Sequence, residues 1–185
     1  VKSSFAELAQ SMNIDPYRFP KTQQQQQQND DSHPAITVKL DACIHCNLCV
    51  RACREIQVND VIGLSQRGAK EKITFDFDDP MGDSTCVACG ECVQVCPTGA
   101  LKESQLTSDL KTDEAPVRSI CPYCGVGCQV NLHTSNNKIT FVEGANGPSN
   151  EGRLCVKGRF GYDYITSEQR LTEPLIRLEG REKGI

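Results

Sequence analysis

The sequence predicts an α+β protein organised by cysteine-bound inorganic clusters more than by an apolar core, and three observations carry that expectation. Twelve cysteines occur in 185 residues. They fall in tight runs: Cys43, Cys46, Cys49 and Cys53, then Cys86, Cys89, Cys92 and Cys96, then Cys121, Cys124 and Cys128, answered later by Cys155. Aromatic residues make up only 5% of the chain, Trp is absent and hydrophobic residues reach 38%, which is too little for a large core.

Spacing separates the two uses of so many cysteines. Thiols packed this closely cannot each close an unstrained disulfide, whereas thiolates around a compact iron–sulfur cubane need that crowding. The pattern implies a reducing compartment. With no signal peptide and no long apolar span, the expected location is cytoplasmic, with no membrane span. The chain starts at Val1, so an upstream targeting segment stays open. Net charge is −4, and each cubane with four thiolates adds roughly two negative charges, which disfavours nucleic-acid binding.

In chain order, Phe5, Ala6, Leu8, Ala9 and Met12 recur at helical spacing after a possible Ser3 or Ser4 cap, predicting a short amphipathic helix within an arm over residues 1–20. Asp15-Pro16 and Phe19-Pro20 turn or extend the arm, and the Gln-rich stretch 21–34 reads as a passive linker. Ala35 to Leu40 alternates like a strand. Val61 to Leu64 and Ile73 to Phe77 suggest a hairpin placed between the first two cysteine runs. The runs share a spacing, so residues 35–103 read as a repeat of loop plus short helix, the layout of a bacterial-type two-[4Fe-4S] ferredoxin-like domain. The polar stretch 102–115 reads as a second linker, taken as 104–116 in the domain division. Residues 117–172 form a small β-rich [4Fe-4S] module, with a hairpin between Gln129–His133 and Lys138–Val142. Tyr162, Tyr164, Ile165, Leu171, Leu175 and Ile176 suit packing against protein outside this chain, and residues 173–185 read as the start of a further domain.

In a two-cluster arrangement the last cysteine of each run crosses over. That pairs Cys43, Cys46 and Cys49 with Cys96 around the first cluster, and Cys86, Cys89 and Cys92 with Cys53 around the second. A zinc ribbon would show two separated pairs of cysteines instead. The third set, Cys121, Cys124, Cys128 and Cys155, suits a four-cysteine zinc site by spacing alone. Its place behind two cubanes favours a third cubane in a relay. Lys157 and Arg159 set cations beside it, which should raise its reduction potential, although solvated surface is the plain alternative. His33, His45 and His133 read as bystanders, with His45 able to tune a cluster by hydrogen bonding. No nucleophile–base pair, phosphate cradle or flavin fingerprint stands out.

Cys121-Pro-Tyr-Cys-Gly-Val-Gly-Cys128 followed by Cys155-Val-Lys-Gly-Arg159 resembles the N-terminal cluster module of molybdopterin oxidoreductases, most closely formate dehydrogenases and assimilatory nitrate reductases. The blocks Asp41 to Glu55, Val58 to Gly63 and Ser84 to Leu101 are similar to the large subunit of NAD-dependent, molybdenum- or tungsten-containing formate dehydrogenases. Phe5 to Pro20 resembles the stretch that follows a further His/Cys cluster there.

The resemblance implies three [4Fe-4S] clusters and a Mo- or W-bis-molybdopterin guanine dinucleotide completed by protein beyond Ile185. It implies formate oxidised to carbon dioxide, electrons passed to a flavin/NAD-binding diaphorase-type subunit, and Lys157 as the electron-transfer residue between cluster and pterin. Catalytic residues are expected outside this chain, which reads as a piece cut at both ends. Rival expectations are the iron–sulfur part of an assimilatory nitrate reductase, a hydrogenase or a respiratory NADH dehydrogenase. From another class comes a stand-alone ferredoxin-like carrier, against which the apolar C-terminal stretch speaks.

Overall fold

The computed structural model describes residues 3–14, 28–104, 115–174 and 176. The Asp15-Pro16 and Phe19-Pro20 turns, the Gln run, most of the second linker and Leu175 lie outside them.

Helix α1 (Ser4–Ser11) forms where the apolar spacing predicts it, with the Ser3 hydroxyl accepting from the Ala6 amide as N-cap. None of its residues is buried. Its start is instead tied to the cluster domain, because the Phe5 amide and the Ser3 hydroxyl both donate to the Pro97 carbonyl, at 3.3 and 3.0 Å.

The ferredoxin-like body has two antiparallel pairs. Strand β1 (Ile36–Val38) pairs with β4 (Leu101–Glu103), and β2 (Ile62–Ser65) pairs with β3 (Lys72–Phe75) as the expected hairpin. All three residues of β1 are buried, so the predicted alternation is not expressed in burial. One cause is that the strand is covered on its second edge, where Asp30 bridges Val38 through hydrogen bonds of 2.9 Å in both directions. Asp30 and His33, in the stretch expected to be linker, are thus part of this body. His33 is buried and its Nδ1 accepts from the Ala35 and Ile36 amides, a structural use of the imidazole.

The linker reading also fails for residues 102 and 103, which complete β4 by pairing with Thr37 and Ile36. Their polarity masks a strand whose backbone groups are satisfied by β1. Between the pairs lie two short helical stretches, one after each cysteine loop. The first is α2 (Leu48–Arg51), running on into a wider turn over Ala52–Ile56, and the second is α3 (Glu91–Val95). Ile36, Val38, Val50, Ile62, Ile73, Phe75, Met81 and Leu101 make one core that also contains Cys49, Cys53 and Cys92.

The third module is a three-stranded antiparallel sheet in the order β5 (Val117–Ile120), β6 (Gln129–Ser135), β7 (Lys138–Gly144). The β6–β7 hairpin turns through Asn136 and Asn137, whose φ values of 51° and 60° suit the tight turn that matches strand twist. Val117–Ile120, expected only to lead into the third loop, is a paired strand. Val130, Val142 and Leu154 form a small second core, and Tyr162 packs on it while donating from its hydroxyl to the Thr140 carbonyl at 2.7 Å. Tyr162 therefore belongs to this module, contrary to the expectation that it packs elsewhere. Leu171 and Ile176 are exposed. A short helix, α4 (Val156–Phe160), begins directly after Cys155 and packs against β7.

Candidate metal centres

All twelve cysteines are free thiols. The first two loops are built alike from the backbone up. His45 and Ala88, each two residues after the first cysteine of its run, adopt left-handed φ values of 52° and 53°. That conformation turns their amides onto Cys43 Sγ and Cys86 Sγ, each at 3.4 Å. Asn47 and Gly90, each following the second cysteine, are also left-handed, with φ of 60° and 73°, and each starts its helix. A left-handed residue costs about 1–2 kcal/mol unless it is glycine or a short polar residue, so the repetition at four matched places is a built feature of the repeat. His45 thus reaches the first loop through its main chain, while its side chain is exposed.

Cysteines of different runs lie near enough to influence one another's thiols. Burial raises the Cys43 thiol pKa, the His45 amide eases it, and Cys96 and then Cys46 raise it further. Burial pushes Cys49 up to about 12, with Cys43, Cys96 and Cys46 adding to it. Cys96 comes from the other run. Burial likewise raises Cys86 and Cys89, each of which also feels Cys53. Cys92 is pushed well up by burial first, then by Cys89, Cys86, Cys49 and Cys53. In the third module, burial raises Cys128, followed by Cys121, Cys124 and Cys155.

Cys43, Cys46, Cys49 and Cys96 line one cavity whose other walls are Leu40, Ile44, Ile73, Ala100 and Leu101 together with Asn47 and Thr98. Four thiols in an apolar shell are a soft, all-sulfur donor set, which fits an iron–sulfur cluster. Among the described residues no three His, Cys, Asp or Glu side chains converge on a single-ion site. A tetrahedral zinc would need sulfurs about 3.8 Å apart, given zinc–sulfur bonds near 2.3 Å. Burial disfavours the Cys43 and Cys49 thiolates, so iron bound there would have to displace their protons.

The third set is more open. Cys124 and Cys155 are exposed, and Cys121 and Cys128 are half-buried with the Cys121 amide donating to the Cys128 carbonyl at 2.8 Å. Helix α4 lies close on this loop, as the site of a Cβ on Gly158 would stand 3.6 Å from Cys121 Sγ. The Tyr123 hydroxyl donates to the Gly161 carbonyl, holding the loop to the end of that helix. Ile120, Tyr123, Val126 and Val156 leave an exposed apolar rim around the set.

Lys157 is exposed. Arg159 is not the solvated cation that the sequence allows: it is 1% exposed, and its guanidinium turns away to Glu91 at 2.9 Å on the second loop's helix. His133 stacks on Phe141 with ring centres 3.9 Å apart, and its Nε2 lies 2.9 Å from a Glu143 carboxylate oxygen, consistent with a structural part. Glu91, Gln94 and the left-handed amides of His45 and Ala88 went unnoticed in the sequence. Their one visible signal is the matched register of Asn47 and Gly90 after the second cysteine of each run.

Two family models match the chain. Residues 42–100 match the 4Fe-4S dicluster domain and residues 114–167 match the molybdopterin oxidoreductase Fe4S4 domain. The chain is a dicluster domain joined to a molybdopterin-oxidoreductase Fe4S4 domain. Its match to a Bacillus subtilis protein named as a probable oxidoreductase is 31% identical over 188 residues, covering 80% of this chain and 19% of that protein. A Staphylococcus haemolyticus protein provisionally named formate dehydrogenase is 31% identical over 190 residues, covering 81% and 19%. The chain thus spans about a fifth of the length of these relatives. A crystal structure of a NAD+-reducing [NiFe]-hydrogenase shares the fold over 58% of this chain and 45% of its own, with a TM-score of 0.51 and 24% identity. The dicluster and Fe4S4 domains together make an iron–sulfur electron-transfer segment of molybdopterin-oxidoreductase type. No helix among the described residues is long and apolar enough to cross a membrane.

Proposed function

We propose that this segment serves a formate dehydrogenase, receiving electrons from formate oxidation at a Mo- or W-bis-molybdopterin site and delivering them towards a flavin/NAD-binding subunit. The observation that carries it is the cavity lined by the four thiols Cys43, Cys46, Cys49 and Cys96, in a chain whose twelve cysteines are all free. Cys43, Cys46, Cys49 and Cys96 would hold the first [4Fe-4S] cluster, Cys86, Cys89, Cys92 and Cys53 the second, and Cys121, Cys124, Cys128 and Cys155 the third. A cubane at each set supplies one-electron storage. The protein's own part is to bury Cys49, Cys53 and Cys92 and to aim main-chain N–H groups at Cys43 and Cys86, which stabilises added negative charge.

The specific substrate is supported by the provisional name of the staphylococcal relative and by the motif resemblance around Lys157. The exposed rim of Ile120, Tyr123, Val126 and Val156 is where the pterin-bearing part of the protein would cover the third set, with Lys157 beside it. Residues 35–103 and 117–172 would then be the two working domains, in a cytoplasmic enzyme. Iron and acid-labile sulfide analysis of the anaerobically purified protein tests the ligand sets: about twelve of each per chain are expected. Eight iron with one zinc would remove the third cluster. In the intact enzyme, formate added anaerobically should reduce the clusters, and nitrate re-oxidising them without formate reducing them would favour a nitrate reductase.

A further inference from the structure

Arg159 joins the second cysteine loop to the third. It lies on α4, one turn beyond Cys155, and its amide donates to the Cys155 carbonyl at 3.1 Å. Its side chain donates Nε to the Cys89 carbonyl at 2.9 Å, Nη1 to Gln94 Oε1 at 2.9 Å and Nη2 to Glu91 Oε1 at 2.9 Å. One residue is therefore bonded to the carbonyl of a cysteine in each of two thiol sets. All three of its side-chain acceptors belong to the second loop and its helix.

The neighbouring contacts grip the same two bodies. Glu91 Oε1 also accepts from the Leu154 amide at 3.4 Å, just before Cys155. The Gln94 side chain accepts from the Gly144 amide at 3.1 Å and donates to the Gly152 carbonyl at 3.0 Å. Gly90 completes the notch, since a Cβ there would run into the Arg159 Cδ. A buried ion pair is weak evidence for stability, because apolar residues of the same volume often serve as well. A planar guanidinium with three donors spent on three different residues instead fixes orientation, which an ammonium or an apolar side chain cannot reproduce.

We propose that Arg159 is a positioning residue that sets the separation and orientation of the second and third cysteine sets, with Glu91 and Gln94 as its counterpart. This rests on the reading of both sets as cluster sites. Its consequence is a fixed magnetic and electronic relation between whatever those two sets hold, independent of how tightly each set binds iron.

The test uses the cluster-loaded protein with Arg159→Lys, Arg159→Ala and Glu91→Gln. Three quantities are read: iron per chain, the spin–spin interaction between reduced clusters by electron paramagnetic resonance, and amide exchange over residues 144–154. Expected is iron content as in the wild type, loss of the wild-type spin–spin splitting, and exchange faster by about a hundredfold in that stretch. Wild-type splitting and protection persisting in Arg159→Lys would overturn the proposal, since charge alone would then suffice. Should Arg159→Ala load no iron, Glu91→Gln decides by the same two readings. An unmutated protein with eight iron and one zinc would overturn the cluster reading itself, and is told apart because no variant is involved.

Discussion

Burial first, and then Cys96 from the other run, raises the pKa of Cys43, just as burial first and, to a lesser degree, Cys53 raises that of Cys86. Both Cys96 and Cys53 are carried away from their own loops. Cys53 leaves its own loop on the stretch after α2 and is tied down by the Val61 amide, which donates to its Sγ at 3.3 Å. Cys96 ends α3, and Pro97 then carries the chain away with its carbonyl held by Phe5 and Ser3.

Cys96→Ser should therefore damage the cluster of Cys43, Cys46 and Cys49, while Cys53→Ser should damage that of Cys86, Cys89 and Cys92. Each variant loses about four iron. Distinct spectral signatures on stepwise reduction identify the missing cluster, and loss of the cluster on the mutated residue's own run would refute the crossing.

The repeat and the hairpins were legible because they rest on local spacing. Two residues between cysteines fix a loop whatever lies around it, and Asn136-Asn137 announces its own turn. The partners of Arg159 were not legible. A buried arginine and an exposed one look alike in sequence until the far side of the contact is known, and Glu91 lies in another domain. Strands β4 and β5 escaped for a related reason: Lys102 and Glu103, like Arg118 and Ser119, are polar residues whose strand state is imposed by backbone pairing to β1 and β6.

Gly90 and Asn47 occupy matched left-handed positions but differ in what stands over them. Gly90→Ala should destabilise the protein by about 3 kcal/mol or more, combining left-handed strain with displacement of the buried Arg159. Asn47→Gly should be nearly neutral, since it keeps the backbone conformation and removes a buried Asn47 Oδ1 that lacks a hydrogen-bond partner among the described residues. Denaturant unfolding of the two variants measures the contrast; equal effects would deny the notch its role.

Lys157 lies two residues after Cys155 and its side chain is exposed, while its carbonyl accepts the Gly161 amide that caps α4. Lys157→Ala in the intact enzyme should leave iron content unchanged and slow formate-driven cluster reduction by about tenfold, the effect of roughly 1.4 kcal/mol on a barrier. Stopped-flow bleaching of the cluster absorbance reads it. Unchanged rates would return Lys157 to ordinary surface.

Glu103 gives the fold a pH dependence of unusual sign. Its carboxyl is 3% exposed, with Oε2 unpartnered among the described residues. Burial raises its pKa to about 7, against a pull downward from Arg159 and a push upward from Glu143. Tyr162, whose own pKa is raised to about 12 by burial and then by Glu103, shares this junction. Between the ordinary carboxyl value of 4.5 and about 7 the folded chain keeps a proton that the unfolded chain has lost, so stability falls as pH rises through that window and levels above it. The full effect is about 3 kcal/mol. Glu143 works in the opposite sense, because its hydrogen bond to His133 lowers its pKa and adds stability that is lost only as pH falls through the acid range. Glu103→Gln should flatten the decline between pH 4.5 and 7 while leaving the acid limb in place. Chemical denaturation at a series of pH values checks this, and an unchanged decline in the variant would show that another group carries it.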